Sequence, residues 1–290
     1  MNMPDIWEIA AILAKLMLYI GITGSTGLVI IRTAFPKSVR PLNNRIKMQA
    51  AFLAGLALVA AVIGFMLRGA ALTGGADGMT DPEMLDLLWQ TPVGGALTFR
   101  LAGAALIMAG LFVPRVGHWI SLAGGVLAMW SFAQIGHVPG LEQYGVRVLL
   151  LLHLLGIAFW IGILGPLRVL SRGPEHLESA AHLGHQFGQA ASVIVPVLIL
   201  AGLLMAWLLL GDLTALATTG YGQTLLAKLV LVGVVLTLAA ANKLRFVPAM
   251  QAGDAQAGRR LARSIEIETA VILVVLAATA TLTSVLTLPN

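Results

Sequence analysis

RVLLLLHLLGIAFWIGILGPL (residues 147–167) carries no charge after Arg147. A helix of about 20 mostly apolar residues is enough to cross a bilayer. The stretch therefore reads as a membrane span, with His153 as its one ionisable group after Arg147. An imidazole left unsatisfied in hydrocarbon is costly, so neighbouring helices must supply its partner.

The rest of the chain follows the same pattern. Of 290 residues, 58% are hydrophobic and 11% charged, with a mean hydropathy of +0.91; about a quarter of a soluble domain is charged. The chain is expected to be an all-α polytopic bundle, one integral membrane domain over residues 1–290. Eight spans are expected, near 6–33, 47–69, 92–113, 117–137, 144–170, 187–210, 222–246 and 264–287. Acidic residues near the amino terminus and the lack of a small-residue cleavage site argue that the first span is retained rather than removed as a signal peptide. Pro82, at an expected first helical turn, makes DPEMLDLLW (81–89) a short helix on the outer surface.

The net charge of +5 does not point to nucleic acid, because basic residues flanking apolar runs are the orientation signal of bilayer proteins. Arg32, Lys37, Arg40, Arg45, Lys47, Arg115, Arg168, Arg172, Lys243, Arg245, Arg259, Arg260 and Arg263 gather at alternate span ends. Asp5, Glu8, Asp77, Asp81, Glu83, Asp86, Glu142 and Asp212 gather at the opposite ends. The basic ends are assigned to the cytoplasm and both termini to the periplasm. The absence of cysteine excludes disulfides, thiolate metal sites and cysteine redox chemistry.

Spans one and five align through Gly21 with Gly156 and Gly27 with Gly162. Spans three and seven align through Gly94 with Gly222 and Arg100 with Lys228, and Met66 corresponds to Met205. Each pair keeps its direction, so residues 1–140 and 141–290 read as two four-helix halves in parallel repeat. Such halves commonly place a site at their interface.

Polar residues inside the spans mark candidate sites. Lys15, Arg100 and Lys228 either snorkel or line a wet or internally paired outer region. His137 and His153 flank one short outer loop and can face a common interhelical space. Imidazole is the commonest metal ligand, and thioether sulfur favours Cu(I); Met129, Met66 and Met205 supply sulfur on the outer half. His153 alone is equally readable as an interhelical hydrogen-bonding residue. By helix rise, His153 lies roughly 10 Å deeper than His137, which suggests two stations on a path rather than one mononuclear site. His118, His176, His182 and His185 at the basic ends read as solvated surface residues. Thr279, Thr283 and Thr287 form a stripe that reads as packing through bonds to its own helix. Glu266 and Glu268 are expected to pair with Arg263 or Lys243.

Taken together, LLHLLGIAFWIGILGPL (151–167), YGQTLLAKLVLVGVVLTLAAANKLRFVP (221–248), RRLARSIEIETAVILVVLAATATLTS (259–284) and GH (136–137) resemble the CopD family of bacterial copper-resistance and copper-uptake inner-membrane proteins. The match is dense from residue 136 to 288 and looser before it. The resemblance implies eight spans and copper movement between periplasm and cytoplasm, with His137 and His153 as the copper-handling positions. Tyr221, Lys228, Asn242 and Glu268 match the pattern with no assigned role. The Trp160 turn reads WIGILGP, where the family tends to have a second Gly directly after the first. No fused periplasmic copper-binding domain is present, which implies delivery by a separate CopC-type protein.

The expected function is thus copper import through a His/Met site, with copper ions and membrane lipid as partners and no enzymatic activity. Two alternatives stand beside it. One is a b-type haem protein using His137 and His153 as axial ligands; the other is a sensor or assembly factor that binds copper without moving it.

Overall fold

The computed structural model describes residues 6–136, 144–210 and 214–284. Every regular element among them is helical, as the continuous apolar runs require. The longer elements are α1 (Ile6–Ala34), α2 (Asn43–Thr73), α3 (Pro82–Trp89), α4 (Pro92–Phe112), α5 (Gly117–Trp130), α6 (Tyr144–Arg172) and α7 (Leu177–Leu210). After the short α8 (Ala215–Thr218) come α9 (Gly220–Ala241), α10 (Val247–Gln251) and α11 (Ala255–Leu282). The expected surface helix is present as α3, with Asp81 capping it by accepting from the Glu83 amide at 3.0 Å.

Seven helices among the described residues are long and apolar enough to cross a membrane, one fewer than the eight expected. The difference lies at residues 117–137. There α5 covers only 14 residues, about 21 Å of rise, before the chain tightens into a 3-10 turn at Ser131–Ala133. The Ser131 hydroxyl donates to the Ala128 carbonyl at 2.6 Å, and Gly136 then turns the chain away at φ 105°. Glycine adopts that backbone conformation without steric cost.

α1 packs on α2 and α6 packs on α7; α4 pairs with α5, and α9 with α11. The remaining contacts of the bundle include α1 with α5, α6 with α11, α1 with α11 and α5 with α6. α6 is central because both its faces are used. Leu151, Leu154, Leu155 and Ala158 lie on one stripe, with Ala158 in the same buried cluster as Leu18, Ile22, Ala57, Leu97 and Met129. Gly162, on that stripe, meets Gly27 of α1 backbone to backbone: a Cβ at Gly27 would lie 2.1 Å from the Ala158 carbonyl oxygen. Helices approach this closely in membranes where small residues line the contact, since dispersion and packing rather than water exclusion hold them together. The opposite stripe, Leu149, His153, Gly156 and Trp160, turns toward α7, α9 and α11. Apolar side chains such as Phe52, Val193, Leu200 and Val230 are exposed on the bundle's outside, as a lipid-facing surface demands.

Candidate functional site

The second stripe of α6 carries the candidate site. His153 is half-buried. Its Nδ1 lies 3.0 Å from the Leu198 carbonyl oxygen, and as that oxygen only accepts, Nδ1 carries the proton and Nε2 keeps its lone pair. Gly202 makes room for the ring: a Cβ there would stand 2.9 Å from the imidazole Cε1. The polar residue at the centre of the decisive stretch is thus satisfied by a main-chain oxygen of α7, and the tautomer so fixed leaves Nε2 as the ring nitrogen able to ligate a metal.

Met205 lies on the same α6/α7 interface, about one turn along α7 from Gly202, packed with Val146, Leu149 and Leu150. Met129 is fully buried in the cluster on the opposite face of α6. Met66 is half-buried on α2, which packs against α1 and α4. The fold therefore brings one of the three thioethers, Met205, to the interface that holds His153. His137 lies outside the described residues. Among the described residues no group of three or more His, Asp or Glu side chains could hold a metal ion.

The polar residues that the sequence reading assigned to the outer half are tied internally. Lys15 Nζ donates to the Thr283 carbonyl at 2.6 Å, and the Tyr19 and Thr283 hydroxyls are 3.1 Å apart. Arg100 Nε donates to Ser131 Oγ at 3.2 Å and its guanidinium lies 5.5 Å from the centre of the Phe132 ring. Thr279 and Thr283 bond back to Val275 and Thr279 carbonyls, as the packing reading expects; Thr287 lies outside the described residues. Lys228 is half-buried. His182 and His185 are exposed, and His118 and His176 half-buried.

The largest departure from the sequence reading concerns the two glutamates. Neither pairs with Arg263 or Lys243. Glu266 takes Arg168, at 2.8 Å, and Arg172. Glu268, two residues on and only 2% exposed, accepts from Trp160 Nε1 at 2.5 Å and from Asn242 Nδ2 at 2.9 Å. These three side chains come from α6, α11 and a π-helical turn at Asn242–Phe246. In that turn the Val247 amide reaches back five residues to the Asn242 carbonyl, and Pro248, next in the chain, has no amide hydrogen to continue the α pattern. The trio borders a cavity of about 180 Å³ that is also lined by Phe187, Ser192 and Lys243, with Lys243 donating to Ser192. Trp160 and His153 are seven residues apart on one stripe of α6, about 10.5 Å along its axis. Sequence reasoning noted Trp160, Asn242 and Glu268 only as parts of a family pattern and missed that they meet, because they lie up to 108 positions apart. The available signal was a carboxylate inside an apolar run.

Comparison with known proteins bears on the family of the chain rather than on this arrangement. The family model for copper resistance protein D matches residues 180–282, and that for the copper resistance protein D-like N-terminal domain matches residues 3–143. Copper resistance protein D of Pseudomonas syringae pv. tomato is 30% identical over 288 residues, covering 92% of this chain and 91% of that one. No solved structure matches. A helical, multi-pass bundle matched along nearly its whole length by such a relative belongs to the copper resistance protein D (CopD) family.

Proposed function

We propose that the chain moves copper ions inward across the bacterial inner membrane, with His153 as the principal copper contact. The observation that carries this reading is the imidazole inside a span of a copper-resistance family member, anchored through Nδ1 so that Nε2 is the free ligand atom. Met205, about one turn along α7 from the Gly202 that faces the imidazole, would supply a soft sulfur and favours Cu(I). His137 would take copper first, at the outer approach. Met66 and Met129 would serve a separate station in the first half. The reading places both termini in the periplasm and has a CopC-type protein deliver the ion.

Two four-helix halves, 1–140 and 141–290, and eight crossings belong to the same proposal. The contacts support it pairwise: α1 with α5 parallels α6 with α11, and α1 with α11 parallels α5 with α6. Residues related by a two-fold axis touch one another only at the axis, and Gly27 meets Gly162, the pair that the repeat alignment matches. In this arrangement α5 and the 3-10 turn at Ser131–Ala133 form the eighth crossing. Among the described residues nothing favours the haem alternative, whose second ligand, His137, lies outside them.

The test is the metal content and absorption spectrum of detergent-purified protein loaded with Cu(I), wild type beside His153→Ala. The expected result is a protein with no Soret band that retains copper, and a folded variant that does not. Equal copper in both overturns the assignment of His153. A Soret band lost in the variant replaces copper transport with haem chemistry.

A further inference from the structure

The Trp160–Glu268–Asn242 trio has chemistry that a copper ligand at His153 does not use. Both oxygens of the Glu268 carboxyl accept from neutral donors. Among the described residues it has no ion pair. The charged groups around it are engaged elsewhere. Lys243, which lines the same cavity from the π turn, donates to Ser192 of α7, and Arg168 and Arg172 of α6 take Glu266. From α1, Tyr19 lies farther along α11, at Thr283. Asn242 turns its amide nitrogen to the carboxylate, an assignment fixed because two acceptor oxygens would repel. Its Oδ1 is consequently buried with no hydrogen-bond partner.

That orphan acceptor is informative. A buried acceptor without a donor is unfavourable, and it sits on the residue that already touches Glu268. If the carboxyl takes a proton, it gains an O–H donor, and a half-turn of the Asn242 amide presents Oδ1 to receive it. The one amide thus serves the carboxyl in both protonation states. The adjoining cavity of about 180 Å³ is large enough to admit water that would exchange a proton with the carboxyl. Two hard oxygens match a proton better than soft Cu(I).

We propose that Glu268 is a proton-binding carboxyl, with Asn242 as its two-way partner and Trp160 as the donor that holds its ionised form, and that its proton exchange is coupled to copper movement past His153. The coupling rests on the transport reading given above, whereas the proton chemistry stands without it.

Infrared difference spectroscopy of the purified full chain, stepped from alkaline to acid pH, tests the proton site directly. The expected result is a buried carboxylic C=O band that grows on acidification and is absent from Glu268→Gln, a variant that keeps the side-chain shape. Trp160→Phe removes a donor to the ionised form, so the band is expected to persist to higher pH, by roughly one to two pH units for a hydrogen bond to a charged group. A spectrum that is the same in wild type and Glu268→Gln overturns the proposal. For the coupling, copper(I) uptake is measured in liposomes with and without an imposed pH gradient. Wild-type uptake is expected to respond to the gradient, and Glu268→Gln is expected to hold copper normally in detergent while losing that response. A variant that responds as wild type does overturns the coupling. His153→Ala separates the two readings, because it is expected to lose copper while keeping the infrared band. Copper retention in His153→Ala would overturn His153 as the copper contact and leave the proton result standing.

Discussion

Two glutamates two residues apart on α11 have opposite environments, and that contrast sets a residue-scale prediction. Glu268 is 2% exposed and receives both Trp160 and Asn242. Replacing it by Ala strands two buried donors, for an expected loss of about 1–3 kcal/mol. Glu266 meets Arg168 and Arg172 at the exposed edge, where water and salt screen the pairs, so Glu266→Ala is expected to leave stability unchanged. Thermal unfolding in detergent, read by loss of monodisperse protein, compares them; equal losses in both would contradict the geometry. The sequence exposed His153 as a site because a lone polar residue in an apolar run is a local signal. It did not expose the partners of either glutamate, since proximity to Arg263 in the chain says nothing about which side of α11 a side chain leaves. Glu266 and Glu268 differ by about 200° around the helix axis, and that rotation sends one to the arginines of α6 and the other into the bundle.

At the scale of elements, the two-faced character of α6 explains why the bundle tolerates a polar stripe. One face is sealed against α1 through Gly27 and Gly162, leaving the other free to carry His153 and Trp160. Gly27→Ala would put a methyl group 2.1 Å from the Ala158 carbonyl oxygen. The helices must separate to admit it, and overpacking of this kind typically costs about 1–3 kcal/mol. Gly55→Ala on α2, where nothing lies within 4 Å, is the matched control and is expected to hold or slightly raise the unfolding temperature, since Ala is the better helix former. A Gly27→Ala protein as stable as the control would show that α1 and α6 do not pack this closely. Most helices were legible as apolar runs, because in lipid the backbone has no other way to satisfy itself. The irregular pieces were not. The 3-10 turn after α5 depends on the Ser131 hydroxyl and Gly136, and the π turn at Asn242 depends on Pro248 and on a partner in α11. Neither leaves a mark in hydropathy.

For the whole molecule, the status of α5 decides the parity of the fold. If the segment from Gly117 onward completes a crossing, the chain crosses eight times and both ends emerge on one face; with seven crossings the ends part. The basic residues favour the even count, because Arg32, Arg115, Arg168 and Arg260 all fall at alternate span ends and the positive-inside bias then assigns every one of those ends to the cytoplasm. A seven-crossing chain with α5 skipped would turn the later arginines, those of the α6–α7 turn and of α11, to the opposite side from Arg32. The sequence contains no cysteine, so single introduced cysteines report accessibility without background. Glu8→Cys and Ser284→Cys are expected to react with a membrane-impermeant maleimide in intact spheroplasts, and Lys37→Cys and Ala252→Cys only after permeabilisation. Reaction of Glu8→Cys and Ser284→Cys from opposite faces would remove the eighth crossing. It would also remove the parallel pairing of the halves, because helices counted as equivalent would then run in opposite directions and Gly27 could not be the counterpart of Gly162.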